Sequence, residues 1–138
     1  MENSSPTVRL HLWLETPQGV FFGSGRAQLL ERIDHFGSLK KAAEDMGMSY
    51  RAAWGKIRQS EKILGVRLVE QVGGKRNYSL SGAGRLLKEK FTIWYDAVER
   101  EALSKAEELF PWKPLPYVKK AAKAGAGRKD GCPGKEAA

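Results

Sequence analysis

The chain has 138 residues, 41% of them hydrophobic, and a formal net charge of +8. That length fits one domain with at most a tail, and that composition excludes a chain disordered throughout. No apolar run is long enough to span a bilayer, the polar stretch Met1 to Pro6 shows no signal-peptide pattern, and the single Cys132 excludes an internal disulfide or thiolate cluster. These features together predict a protein of the reducing cytoplasm with no membrane partner.

Residues 8–15 alternate, with Val8, Leu10, Leu12 and Leu14 on one face, which predicts a half-buried strand. Turn residues Thr16, Pro17, Gln18 and Gly19 follow, and Val20 to Phe22 return as a second strand, making a hairpin. Ser24 and Gly25 open a helix whose stripe is Ala27, Leu30, Ile33 and Phe36, closed by Gly37. Ser38 caps a second helix with Leu39, Ala42, Ala43 and Met46 on one face; Gly47 stops it. Ser49 caps a third helix, about Tyr50 to Leu64. Ala53, Ile57, Ser60 and Leu64 face inward; Arg51, Gly55, Arg58 and Lys62 face outward. Gly65 ends it. Val66 to Val72 and Asn77 to Leu80 form a second hairpin around the basic loop Gly73-Gly74-Lys75-Arg76. Ser81 caps a long helix over 82–109, with Leu87, Phe91, Trp94, Val98, Ala102 and Leu109 in one stripe, and Pro111 ends it. Residues 113–138 are rich in Lys, Ala, Gly and Pro and read as a mobile basic tail behind a folded unit of 1–112.

The fold class that follows is mainly α with small β-hairpins: a winged helix-turn-helix with a long C-terminal dimerisation helix. Ala43 lets two helices approach closely, Gly47 permits the sharp turn, and Ala53 and Ile57 pack the next helix on the first. Charge is placed to match. Residues 40–90 hold 12 basic and 5 acidic residues, net +7, whereas residues 1–39 are net −1 and 91–112 net −3. A basic middle third suits phosphate neutralisation; a solvated surface is the alternative. Double-stranded DNA is the expected partner, with the third helix in the major groove.

The expected DNA contacts are Ser38, Ser49, Tyr50, Arg51, Arg58, Lys62, Lys75 and Arg76. Arg51, in the first turn, is placed to bond guanine in two-pronged fashion, with phosphate as the alternative. Arg58 and Lys62, further along, suit phosphates. Ser38 and Ser49 present helix N-termini to phosphates while also capping. Lys75 and Arg76 are the wing's cations. Tyr50 either contacts phosphate through its hydroxyl or packs on Trp54, and Trp54 is expected to anchor on the first helix. Leu87, Phe91, Trp94, Val98 and Ala102 form the expected homodimer interface, since a thin domain cannot cover so long a stripe.

An enzyme is not expected. His11 and His35 are too few and too separated for a metal site, Gly73-Gly74-Lys75 lacks the spacing of a phosphate loop, and no nucleophile motif is visible. No metal and no cofactor is expected. Two rival readings remain: a winged-helix protein-interaction module, and sequence-neutral DNA binding aided by the basic tail.

The run Gly37-Ser-Leu-Lys-Lys-Ala-Ala-Glu-Asp-Met-Gly-Met-Ser-Tyr-Arg-Ala-Ala-Trp54 resembles the N-terminal domain of ModE-type molybdate-responsive regulators. Ser49-Tyr50-Arg51-x-Ala53-Trp54 is its specific part. Leu64-Gly65-x-x-Leu68-Val69-Glu70 is shared with LysR-type regulators, and Leu80-Ser81-x-x-Gly84-x-x-Leu87 is similar to the start of the family's linker helix. The resemblance covers roughly residues 8 to 110. It implies a winged-helix fold, dimers through the first and last helices, and an inverted-repeat operator. The family binds molybdate in a C-terminal pair of small barrels, and nothing after Trp112 resembles one, so direct molybdate binding is not expected here.

Overall fold

A computed structural model describes residues 5–74 and 77–118. Ten elements follow in order: β1 (Thr7–Val8), β2 (Trp13–Thr16), β3 (Gly19–Gly23), α1 (Ser24–Phe36), α2 (Leu39–Asp45), α3 (Tyr50–Leu64), β4 (Val69–Gln71), β5 (Tyr78–Leu80), α4 (Gly82–Leu109) and β6 (Leu115–Pro116). This is the winged helix-turn-helix expected from the sequence: α2, a tight turn, α3, then the β4–β5 hairpin as the wing.

Local chemistry sets most boundaries. Ser38, Ser49 and Ser81 each accept a hydrogen bond through Oγ at 3.0 Å, from Lys41 N, Ala52 N and Gly84 N, which satisfies one orphan amide at the start of α2, α3 and α4. Gly37 and Gly65 close α1 and α3 in the left-handed conformation, at φ 67° and 77°. Gly47 turns the chain between α2 and α3 at φ 71°, a backbone state that a side chain would strain.

The expected strand over 8–15 is divided. Val8, Leu10, Leu12 and Leu14 do share a half-buried face. Thr7–Val8, however, leaves the hairpin to pair in parallel with Leu115–Pro116, in the register Thr7↔Leu115 and Val8↔Pro116. Leu115 N donates to Pro6 O at 2.9 Å, and the Arg9 guanidinium lies 4.1 Å from the Tyr117 ring centroid. Residues 113–118, read as the start of a tail, are therefore held against the N-terminal segment. Residues 119–138, with Cys132, lie outside the described ones. In the β2–β3 hairpin, Leu14 faces Phe22 while Glu15 faces Val20, so Phe21 forms a bulge.

The core gathers Phe22 from β3, Leu29, Leu30 and Ile33 from α1, Leu39 and Ala42 from α2, Ala53 and Ile57 from α3, and Leu68, Val69 and Leu80 from the wing base. Phe91 of α4 completes it, edge-on to Phe22 at 5.4 Å and only 6% exposed. This corrects the sequence expectation for Phe91 as a dimer contact. The first half of α4 lies on the chain's own core, which takes Phe91 and half-buries Leu87. The apolar side chains left outside are one position away, at Leu86 (54% exposed) and Ile93 (61%), joined by Trp94. Val98 and Ala102 are half-buried. Tyr95 Oη, facing inward, donates to Leu10 O at 3.4 Å. Among the described residues no helix is long and apolar enough to cross a membrane, and no group of three or more His, Cys, Asp or Glu could hold a metal ion.

Candidate nucleic-acid interface

The helical period of α3 separates its faces cleanly. Ala53, Ile57 and Ser60 are buried; Arg51, Gly55, Arg58 and Lys62 are exposed, spread over about 16 Å of helix. Gly55 sits mid-face, and a Cβ added there would meet nothing within 4 Å, so this face is open to close approach. Tyr50 and Arg51 stand in the first turn, beyond the Ser49 cap. Ser38 opens α2 at the other side of the turn. Both serine oxygens are engaged by their own helices, which holds the two N-termini in place.

The cations are not equivalent. Among the described residues, neither Arg51 nor Lys62 has an ion pair, whereas Arg58 is committed on two sides. Its Nη1 lies 3.1 Å from Glu61 Oε1, and its guanidinium lies 4.2 Å from the Trp54 ring centroid. Glu61 is itself buried, and its second oxygen accepts from Leu68 N at 2.8 Å and Val69 N at 3.4 Å. Arg58 is thus a pre-oriented cation, partly neutralised, over a carboxylate that is tied to the wing. Exposed Arg67 joins Arg58 and Lys62 around an open bowl of about 460 Å³ at the end of α3. Lys75 and Arg76, the wing cations expected from sequence, lie outside the described residues. The strands that carry them close through Val72 N donating to Asn77 O at 2.9 Å, with Gly73 at φ 61° in the turn.

Trp54 is half-buried against the core, and its aromatic partners lie in the wing and in its own helix. It lies edge-on to Tyr78 of β5 at 5.5 Å and to Tyr50 at 6.5 Å. The reason is the wing: β5 is held beside α1 by Tyr78 N donating to Gly37 O at 3.0 Å, and its ring fills the place opposite Trp54. Burial pushes the Tyr78 hydroxyl above its ordinary pKa, reinforced by the neighbouring Tyr50 hydroxyl. Tyr50, Trp54, Tyr78 and Arg58 therefore form one stack between helix and wing.

Sequence reasoning missed Glu61, Gln59 and Arg26, which position α3. Ser60 was placed inward by its spacing, but its partner was not foreseen: its hydroxyl donates to Phe21 O at 2.5 Å. Arg26, 4% exposed, reaches from α1 to Val20 O at 2.9 Å and to Gln59 Oε1 at 2.8 Å.

Residues 25–85 match the family described as bacterial regulatory helix-turn-helix protein, lysR family. The chain is 32% identical over 92 residues to the transcriptional regulator ModE of Haemophilus influenzae, covering 64% of this chain and 34% of that protein. It is also 32% identical over 99 residues to the molybdenum transport protein ModE of Azotobacter vinelandii, covering 70% and 35%. The chain thus spans about a third of the length of these relatives. Among solved structures, the CbnR DBD in complex with DNA superposes at a TM-score of 0.51 with 19% identity, covering 62% of this chain and 95% of that one. Vibrio fischeri DarR in complex with DNA, an LTTR family member, superposes at 0.50 with 18% identity, covering 64% and 29%. Those two likenesses concern the fold. The match to the lysR family thus concerns residues 25–85, and the stretch around it is similar in sequence to ModE regulators.

Proposed function

We propose that this chain binds operator DNA sequence-specifically, as a transcription regulator of the bacterial cytoplasm, and catalyses no reaction. The observation that carries this is the outward face of α3. Arg51 has no acidic partner among the described residues, Gly55 leaves room for the groove, and Arg58 is aimed by Trp54 and Glu61. In this reading Arg51 meets a base edge, while Arg58, Lys62, Lys75 and Arg76 meet phosphates and Ser38 and Ser49 offer helix N-termini to the backbone. Both structurally similar proteins are in complex with DNA, and the Haemophilus relative is a transcriptional regulator.

The same reading makes the protein a homodimer. Leu86, Ile93 and Trp94 leave an apolar ridge on α4 that a second copy would cover, with Val98 and Ala102 beside it. The Azotobacter relative is a molybdenum transport protein, and no molybdate site is assigned to this chain. One experiment tests the whole: selection of bound sites from random duplex DNA, with and without molybdate. The expected result is one enriched motif in inverted repeat, its half-sites about 34–36 Å apart or a multiple of that, unchanged by molybdate. A single unrepeated motif would contradict the dimer. A pool without any enriched motif would contradict specific recognition.

A further inference from the structure

Tyr50 is the first residue of α3 and is 47% exposed. A tyrosine so placed can meet a duplex in two ways. Its hydroxyl can donate to a phosphate, or its ring can lie against an apolar group on a base. The surroundings of Tyr50 separate these. Its hydroxyl neighbours that of Tyr78, so the polar end lies toward the wing strand. Its ring stands edge-on to Trp54, at 6.5 Å and 87° between planes. Trp54 is fixed in turn by Tyr78 at 5.5 Å and by the Arg58 guanidinium at 4.2 Å. The phenol therefore has Tyr78 beside its hydroxyl and Trp54 against its ring, and nearly half of the side chain is left exposed.

In the major groove, the apolar substituent carried on a base edge is the 5-methyl group of thymine. We propose that Tyr50 is a specificity-determining residue that selects thymine: its ring packs on the 5-methyl group while Arg51, next in sequence, takes a neighbouring base pair by hydrogen bonds. This rests on the DNA-binding reading above. Trp54 and Tyr78 serve as positioning residues, holding the ring where the methyl group arrives.

The test uses the full chain and its selected duplex. Each thymine of one half-site is replaced singly by deoxyuridine, which removes the methyl group and nothing else. At one position the wild type should bind about fourfold more weakly, the worth of one buried methyl group. Tyr50→Phe keeps the ring and should keep that discrimination. Tyr50→Ala should bind the thymine and deoxyuridine duplexes alike. The inference is overturned if the wild type prefers its selected site to random duplex yet no deoxyuridine substitution moves its affinity. It is equally overturned if Tyr50→Phe weakens both duplexes as much as Tyr50→Ala, which would assign the hydroxyl to a phosphate. A wild type with no preference for any duplex would instead remove the DNA-binding reading, and this inference with it.

Discussion

Two hairpins flank α3, and they are fastened to it by different chemistry. The β2–β3 hairpin is held by neutral acceptors and buried donors: Ser60 donates to Phe21 O, and Arg26 bridges Val20 O and Gln59. The wing is held at its base by a carboxylate. Glu61 accepts from the amides of Leu68 and Val69, where β4 begins. Ser81 Oγ then donates to Arg67 O at 2.6 Å, tying the start of α4 to the same place. Trp54 and Tyr78 add an aromatic contact one step further along the wing. The N-terminal hairpin is thus a brace on the back of α3, whereas the wing is fixed at its root by Glu61 and Ser81 and further out by Tyr78. A recognition helix needs its back fixed so that its outward face meets the groove at one angle. On the proposed DNA-binding reading, the wing's base is what must stay fixed, because groove width varies with sequence.

The sharpest way to break this comparison is at the root. A Cβ added to Gly84 would stand 2.2 Å from Leu68 O and 3.3 Å from Leu68 Cα. Both partners are backbone, and both are pinned by Ser81 and Glu61, so neither can give way cheaply. Gly84→Ala should destabilise the fold by about 3 kcal/mol, read as a lower urea midpoint at unchanged slope. A midpoint equal to wild type would mean that the root yields and that the wing is not fixed there. Next in size is Glu61→Ala, which strips a buried amide of its acceptor and releases Arg58. A loss of about 2 kcal/mol is expected, with Glu61→Gln losing less because its amide oxygen still accepts from Leu68 N. Equal losses for Ala and Gln would show that Arg58, rather than the wing amides, depends on Glu61.

Most of this architecture was legible because its signals are local. Caps at Ser38, Ser49 and Ser81 and left-handed glycines at 37, 47 and 65 each act within four residues, so the helices and the turn between α2 and α3 could be read directly. The outward face of α3 followed from its 3.6-residue period. The misreadings share one cause. Periodicity tells which face of a helix is apolar, but not who covers it. Phe91 was given to a second copy, and the chain's own Phe22 claims it. Trp54 packs on the core, but its contact with Tyr78 of the wing lies outside any helical period. Pairing of Thr7–Val8 with Leu115–Pro116 joins the two ends of the described fold, where no local signal reaches. Arg26 was invisible for a further reason: an arginine beside an apolar stripe reads as surface, yet this one is buried.

Arg26 is where the smallest effect is expected, and it tests the N-terminal brace. Its guanidinium has no acidic partner among the described residues, its Nε has no hydrogen-bond partner, and burial lowers its pKa. A buried cation paired only with neutral acceptors gains little over a well-packed apolar chain of the same length, because its desolvation offsets most of what its two hydrogen bonds contribute. Arg26→Met keeps the volume and removes the charge. It should leave stability within about 1 kcal/mol of wild type. Arg26→Ala leaves a void between α1, β3 and α3 and should cost about 2 kcal/mol or more. Urea midpoints of the two variants decide between them. If Met costs as much as Ala, the bonds to Val20 and Gln59 hold the hairpin. If Met is near wild type, the brace works by filling space, and the contrast with the carboxylate-bound wing is one of packing against hydrogen bonding.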